Sequence, residues 1–343
     1  MANILIMRFS ALGDVAMTIP VIYSFASKYK NHNIWVLSQT NLKSMFDLAP
    51  ENVHFIEADF KSKHKGVKGL NTLFLELKKY NFDFIADFHS VLRSHYLRLR
   101  FQLAGIPTKK IKKGRCEKSK LIRRNNKHLF QLKSSFERYH DVLQSLGFEF
   151  ELNFESIYEN NVITDLHLSS NYTKVSTDKW LGIAPFAKHK GKIYPLELQL
   201  KVIEHFANKK DVKVFIFGGG KEEKIIIDSW IERFPNIESS IGKLNMSQEI
   251  ALMSQLDVMY SMDSANMHLA SLANTAVVSL WGATHPFAGF MGWNQPATNA
   301  VQIDLPCRPC SIYGNKPCYR KDYACLNQIE PIKIIRAIEK LLY

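Results

Sequence analysis

Four loops and one cysteine cluster in this chain combine residue types that can do chemistry. The first is Ser10-Ala11-Leu12-Gly13-Asp14, which follows the apolar run Ile4–Met7. Asp14 would stand where a helix begins, with Gly13 giving the backbone room to turn. Asp is a favoured helix cap. A carboxylate at a helix start is also kept ionised by the helix dipole, as a general base requires. Both readings can hold together. The second loop, Ala187-Lys188-His189-Lys190-Gly191-Lys192, carries three lysines that suit phosphate, or that form a solvated basic loop. The third is Gly218-Gly219-Gly220 before Lys221-Glu222-Glu223, which allows close approach of a ring or simply a flexible turn. The fourth is Ser261-Met262-Asp263-Ser264-Ala265-Asn266-Met267-His268. Free N–H groups at a helix start there would suit a diphosphate, and Asp263 could accept from sugar hydroxyls. His268 would lie one turn in, where a histidine is commonly a structural residue. Cys307, Cys310, Cys318 and Cys325 make a CxxC-x7-C-x6-C pattern. Four thiolates suit zinc, but the spacing departs from the paired-CxxC ribbon and favours a loop of thiols or a disulfide.

These loops need strands and helices to aim them. Apolar runs alternate with helix-length segments along the whole chain. Strands are expected at Ile4–Met7, Ile34–Leu37 and Phe84–Ala86, with helices at Val15–Tyr29, Leu70–Lys79 and Phe136–Leu146. The pattern restarts at Trp180. Strands are expected at Leu181–Pro185, Val212–Phe217, Val258–Ser261 and Ala276–Trp281. Helices fall between them at Leu196–Phe206, Glu222–Phe234, Ser247–Met253 and Met267–Ala273, and Pro331–Leu342 is a final amphipathic helix. Strand–helix alternation implies parallel sheets covered on both faces. The polar stretch Asn160–Asp178 separates the two patterns, giving domains 1–165 and 166–330. Two doubly wound domains commonly hold ligand in the cleft outside their strands' carboxyl ends.

Length and composition agree with two globular domains. The chain has 343 residues, 46% hydrophobic and 22% charged. No apolar run is long enough to span a bilayer, and the N-terminus reads as a buried strand rather than a signal peptide. The cytoplasm is therefore the expected compartment. The net charge is +13, from 45 basic and 32 acidic side chains. Lys109–Lys127 alone holds ten basic residues and one acid, and is expected as a surface loop. An anionic partner follows: nucleic acid, an anionic membrane, or a phosphorylated substrate. That basic loop has no aromatic side chain for base stacking, and no nucleic-acid motif occurs, so nucleic acid is not the expected partner and a basic nucleic-acid-binding module stands as the alternative reading.

Taken together, the loops resemble glycosyltransferase family 9, the ADP-heptose:lipopolysaccharide heptosyltransferases. MRFSALGDVAMTIP is similar to the family's opening strand and G-D-V loop. KIYP and FGGGKEE match two weaker blocks, and SMDSANMHLASLANTAVVSLWGATHP matches the D-[ST]-G-x-x-H block with the G-P-T that follows. The tail CRPCSIYGNKPC also occurs in members. The chain departs from the pattern at Ala265, at Ala283, and at Ala187 and Lys188.

The resemblance implies an α/β GT-B fold, two Rossmann-like doubly wound domains facing a central cleft. The N-terminal domain would take the acceptor and the C-terminal domain the nucleotide sugar, with the last helix, 331–343, packing back toward the first domain. It implies an inverting displacement with Asp14 as general base. Lys192 would neutralise the donor diphosphate, which Ser264, Ala265 and His268 would also contact. Asp263 would hold donor hydroxyls, Glu222 the ribose and Leu244 the adenine. Ser10, Gly13 and Arg93 would face the acceptor. No Asp-x-Asp triplet occurs, so no metal is expected in catalysis. The implied donor is ADP-heptose, with another nucleotide sugar as the alternative. The implied acceptor is an anionic lipid-linked inner-core oligosaccharide. The basic N-terminal half, with Lys109–Lys127 facing the membrane, would meet the inner leaflet.

Overall fold

The computed structural model describes residues 1–158, 172, 174 and 177–343. The chain divides into two units, Met1–Lys113 with Ser135–Glu159, and Gly114–Ser134 with Asn160–Tyr343. Most of the expected boundary, Asn160–Asp178, lies outside the described residues.

The first unit grows from the run Ile4–Met7, whose four side chains are fully buried. Burial on both faces is why this strand reads as a continuous apolar run. It is the centre of β1 (Asn3–Met7). The first unit's helices are α1 (Leu12–Ala16), α2 (Ile19–Lys28), α3 (Gly66–Lys78), α4 (Leu92–Leu103) and, after α5 (Arg115–Leu121) of the second unit, α6 (Ser135–Gln144). The remaining strands are β2 (Asn33–Gln39), β3 (Val53–Ala58), β4 (Phe84–Asp87) and β5 (Thr108–Lys110). All five are parallel, in the order β3-β2-β1-β4-β5. The helix expected over Val15–Tyr29 is in fact two, α1 and α2. Pro20 has no N–H for the carbonyl of Ala16, so one continuous helix cannot form.

The second unit has six parallel strands: β6 (Lys179–Ala184), β7 (Val212–Ile216), β8 (Ile237–Ser239), β9 (Val258–Met262), β10 (Ala276–Leu280) and β11 (Ala300–Val301). Their order is β11-β10-β9-β6-β7-β8. The helices are α7 (Leu196–Ala207), α8 (Lys221–Arg233), α9 (Met246–Ser254), α10 (Ala265–Leu272), α11 (Ala324–Asn327) and α12 (Pro331–Leu342). Helix α12, read from sequence as packing toward the N-terminal domain, has its apolar face in this unit. Ile334, Ile335, Ile338 and Leu342 join the core formed with α7, β9 and β10.

The basic segment Lys109–Lys127 is not a plain surface loop. Its first residues complete β5, and α5 belongs to the second unit. Leu121 is buried with Leu132, Ala288 and Ile312. The Lys118 ammonium lies 4.4 Å from the centre of the Phe290 ring. Lys127 Nζ donates to the carbonyls of Pro306, Arg308 and Pro309 at 3.2, 2.8 and 3.0 Å. Lysine stems are apolar, so a segment of polar composition can still be packed. Among the described residues no helix is long and apolar enough to cross a membrane.

Candidate functional site

Every strand of the first sheet is parallel, so the loops that follow the strands share one edge. The strand order reverses between β1 and β4, which opens a crevice between their following loops. The residues after β1 are Arg8 to Asp14, and those after β4 are Phe88 to Arg93. Asp14 is the third residue of α1, not its cap; Ala11 takes the cap position. One oxygen, Asp14 Oδ2, accepts the Ala11 N–H at 3.2 Å and meets Arg8 Nη2 at 2.7 Å. Arg8 is itself anchored, donating to the Phe88 carbonyl at 3.0 Å. Tyr139 Oη donates to the Asp14 carbonyl at 3.3 Å. Asp14 therefore serves the helix start from its third position rather than as the cap, and Arg8 orients its carboxylate.

Asp87 ends β4 fully buried and organises the loop beyond it. It accepts the N–H groups of His89 and Ser90 at 3.0 and 2.7 Å, and the Ser94 hydroxyl and Arg98 Nη1, each at 3.0 Å. The turn so formed holds His89 Nδ1 against the Phe9 N–H at 3.2 Å. Burial, then the charges of Arg8 and Lys113, draw the His89 pKa down to about 3. Asp14 and Arg93 also act on His89 electrostatically. The Arg93 guanidinium sits 4.8 Å from the centre of the Phe60 ring. Asp14 and Arg93, both expected from sequence, thus belong to one electropositive cluster with Arg8, His89 and Lys113. Ser10 is half-buried in the loop before α1, and Gly13 lies within α1, its carbonyl accepting the Met17 N–H.

In the second sheet the order reverses between β6 and β9. Lys192 follows β6 and Asp263 follows β9, and they meet at this reversal. Lys192 Nζ lies 2.9 Å from Asp263 Oδ2, with the side chains 16% and 5% exposed. Thr284 Oγ1, after β10, donates to the same oxygen at 2.8 Å. Ser264 takes the N-cap position of α10 without a side-chain capping bond, its hydroxyl lying 3.2 Å from that of Ser261, and Ala265 is the first helical residue. His268 is buried one turn further on. Ser264, Ala265 and Asp263 are thus consecutive at one helix start beside Lys192.

Glu222 and Leu244 follow β7 and β8, farther along the same edge. Glu222 is exposed in the first turn of α8, and its neighbour Glu223 accepts the Gly219 N–H at 2.7 Å. Leu244 is half-buried and gives its N–H to the Ser240 carbonyl at 3.1 Å. Glu249, on α9, accepts from the Ser240 hydroxyl at 2.7 Å, and burial raises its pKa.

The cysteine-rich tail packs against this site. All five cysteines are free thiols. Burial pushes the Cys325 thiol up to about 12 and raises Cys310 as well. Among the described residues no three His, Cys, Asp or Glu side chains are grouped so as to hold a metal ion. The buried residue of the tail that does most is Arg308. It donates to the carbonyls of Trp281 and Thr284 at 3.0 Å each, to Gln302 Oε1 at 2.9 Å, and to the carbonyls of Gly282 and Ile303. The N–H groups of Cys310 and Ser311 both return to the Ala283 carbonyl. Gly314, at φ +74°, lies against the Lys192 stem, where an added Cβ would come 2.6 Å from Cγ.

Residues 71–319 match the model of glycosyltransferase family 9 (heptosyltransferase). The chain belongs to glycosyltransferase family 9. It is accordingly a glycosyltransferase of the heptosyltransferase type. It is 24% identical over 339 residues to lipooligosaccharide heptosyltransferase 2 of Campylobacter jejuni, covering 96% of both chains. Among solved structures it resembles a family 9 glycosyltransferase from Veillonella parvula, with a TM-score of 0.74 at 19% identity, covering 99% of this chain and 97% of that one. It also resembles the E. coli heptosyltransferase WaaC with ADP-2-deoxy-2-fluoro heptose, with a TM-score of 0.70 at 15% identity, covering 98% and 99%. The fold is GT-B. Within this family 9 chain, the departure at Ala265 has no backbone obstacle. That residue opens α10 in helical conformation and is not among the positive-φ positions.

Sequence reasoning missed Arg8, His89, Lys113, Thr284 and Arg308. Arg8 and His89 each lie within two residues of a strand end at a sheet reversal, which is the signal that could have found them.

Proposed function

We propose that this chain transfers heptose from ADP-heptose to the Kdo/heptose inner core of a lipopolysaccharide precursor, with inversion and without a metal in the step. The observation that carries the reading is the Lys192–Asp263 pair beside the start of α10, a cation and a row of helix N–H groups at one sheet reversal. A relative's solved structure holds an ADP-heptose analogue, which supports the donor class. Asp14 takes the proton of the acceptor hydroxyl. The freed oxygen attacks the anomeric carbon, the bond to the diphosphate breaks on the opposite face, and ADP leaves. Lys192 and the N–H groups of Ser264 and Ala265 take up the charge that develops on the leaving phosphate, with His268 as a further phosphate contact. Asp263 holds donor hydroxyls, Glu222 the ribose and Leu244 the adenine. Arg93, Ser10 and Gly13 face the acceptor, with Arg8 and Lys113 adding positive charge for its anionic groups. An acceptor of this kind is lipid-linked, which places the work at the inner face of the cytoplasmic membrane.

The test is a thermal-shift panel with ADP, UDP, GDP, CDP and an RNA oligomer, with and without magnesium, followed by an ADP-heptose transfer assay. Ligand at 100 times its Kd should add about 2.7 kcal/mol of stability. Selective stabilisation by ADP without magnesium dependence, together with ADP-heptose turnover, is the expected result. Preference for another nucleotide would move the donor. A response to RNA alone would overturn the reading.

A further inference from the structure

Helix α4 is apolar where a surface helix should be polar. Its buried positions are Ser94, Leu97 and Phe101. At 100° per residue, Leu92, Leu99 and Leu103 fall within about 40° of one another on the opposite side. They are 87%, 54% and 77% exposed. A helix that packs one face on a core ordinarily turns charged residues to solvent at that outer pole. Single exposed leucines are unremarkable, but three on one line form a stripe.

The sequence that carries the stripe has charge of one sign. From Phe88 to Lys113 the sequence has no Asp or Glu, and seven basic residues: Arg93, Arg98, Arg100, Lys109, Lys110, Lys112 and Lys113. The helix arginines are held in place. Arg98 pairs with Asp87 at 3.0 Å, Arg100 stacks 4.3 Å from the centre of the Phe74 ring, and Arg93 stacks on Phe60. Lys109, Lys110 and Lys112 are exposed just beyond the helix. A leucine stripe flanked by arginine, with no acid, matches a helix that lies in a bilayer interface. Its leucines enter the acyl boundary while the exposed Lys109, Lys110 and Lys112 reach the headgroups.

We infer that α4 is the surface by which this protein docks on an anionic lipid bilayer. The partner is the membrane itself and not a second copy of the chain, because a second copy would bring the same positive charge to the contact. The docking surface is therefore α4 and β5, and not the whole of Lys109–Lys127, whose later part is packed into the second unit. The inference rests on the proposed function only for its purpose. Arg93 stands in the first turn of the same helix, so docking would hold the acceptor side of the first unit at headgroup level.

The test is co-sedimentation of the full chain with phosphatidylethanolamine/phosphatidylglycerol vesicles, against phosphatidylcholine vesicles, at low and high salt. The variant is Leu92→Ser/Leu99→Ser/Leu103→Ser. Wild type should bind the anionic vesicles, less so in high salt. The variant should lose binding by about tenfold or more. Its ADP-induced thermal shift and its turnover on a lipid-free acceptor should match wild type, which shows that it folds. Equal binding by variant and wild type would overturn the inference, as would a wild type that stays in the supernatant. So would concentration-dependent self-association that the variant abolishes. Leucine-dependent vesicle binding without any ADP-heptose turnover would remove the proposed function and leave the docking surface standing.

Discussion

Asp14 Oδ2 takes the Ala11 N–H and the Arg8 guanidinium together, so one carboxylate oxygen is occupied while Arg8 is fixed from behind by the Phe88 carbonyl. Asparagine at this position can keep the bond to Ala11 but cannot accept a proton at neutral pH. Asp14→Asn should therefore leave ADP affinity unchanged and lower kcat by about a hundredfold or more, the scale of losing a general base. Single-turnover kinetics with ADP-heptose, beside ADP titration, measures both. Weakened ADP binding with normal turnover would take the base role away from Asp14. Asp14 is partly exposed but the Arg8 side chain is only 9% exposed, so losing the carboxylate charge should also lower stability.

The elements that shape the proposed donor site are the loops after β6, β9 and β10, and the tail that packs on them. Gly314 touches the Lys192 stem, and Arg308 ties the loop carrying Thr284 to the tail. Gly314→Ala should push the Lys192 side chain away from Asp263. ADP affinity should fall roughly tenfold, within the coupling seen for residues in contact. In a Lys192→Ala background the same change should have no further effect on ADP binding. Isothermal titration across this double-mutant cycle decides the matter, since equal losses in both backgrounds would mean general destabilisation. The strands behind these loops are legible because buried parallel strands are nearly unbroken apolar runs, as in Ile4–Met7 and Val258–Tyr260. Asp14, Lys192 and Asp263 stood out because each follows such a run. Their partners did not. Arg8 meets Asp14 locally, but His89 joins them only because β4 lies beside β1. Thr284 reaches Asp263 only because β10 lies beside β9. Strand order is a long-range property that no local pattern carries. Arg308 was hidden inside a cysteine motif that drew attention to its thiols. The packed half of Lys109–Lys127 was hidden by its polar composition.

At the scale of the whole molecule, two histidines tie stability to pH, one in each unit. His89 Nδ1 accepts the Phe9 N–H at 3.2 Å, and His285 Nδ1 accepts the Phe287 N–H at 3.1 Å. Both rings must be unprotonated at Nδ1 to do so. Burial first, and neighbouring Arg8 and Arg308 next, bring their pKa values to about 3 and about 4. An unfolded histidine titrates near 6.5 (about the model-peptide value). Between that pH and the folded values, the unfolded chain binds a proton at each site and the folded chain does not. Stability is therefore full above about pH 6.5 and falls as the pH drops toward 4, by up to about 1.4 kcal/mol per pH unit for each histidine. His95 and His189 are shifted in the same direction. Burial raises the Glu249 pKa, which acts in the opposite sense, so the histidine contribution is read from the difference between wild type and the variants below. Urea unfolding measured across that range should show the decline in wild type. His89→Asn and His285→Asn, whose amide oxygens can still accept the backbone N–H, should each remove part of it, and the double variant most of it. A flat wild-type profile would mean that both rings can take a proton in place, and that the cationic surroundings of His89 and His285 are weaker than their geometry implies.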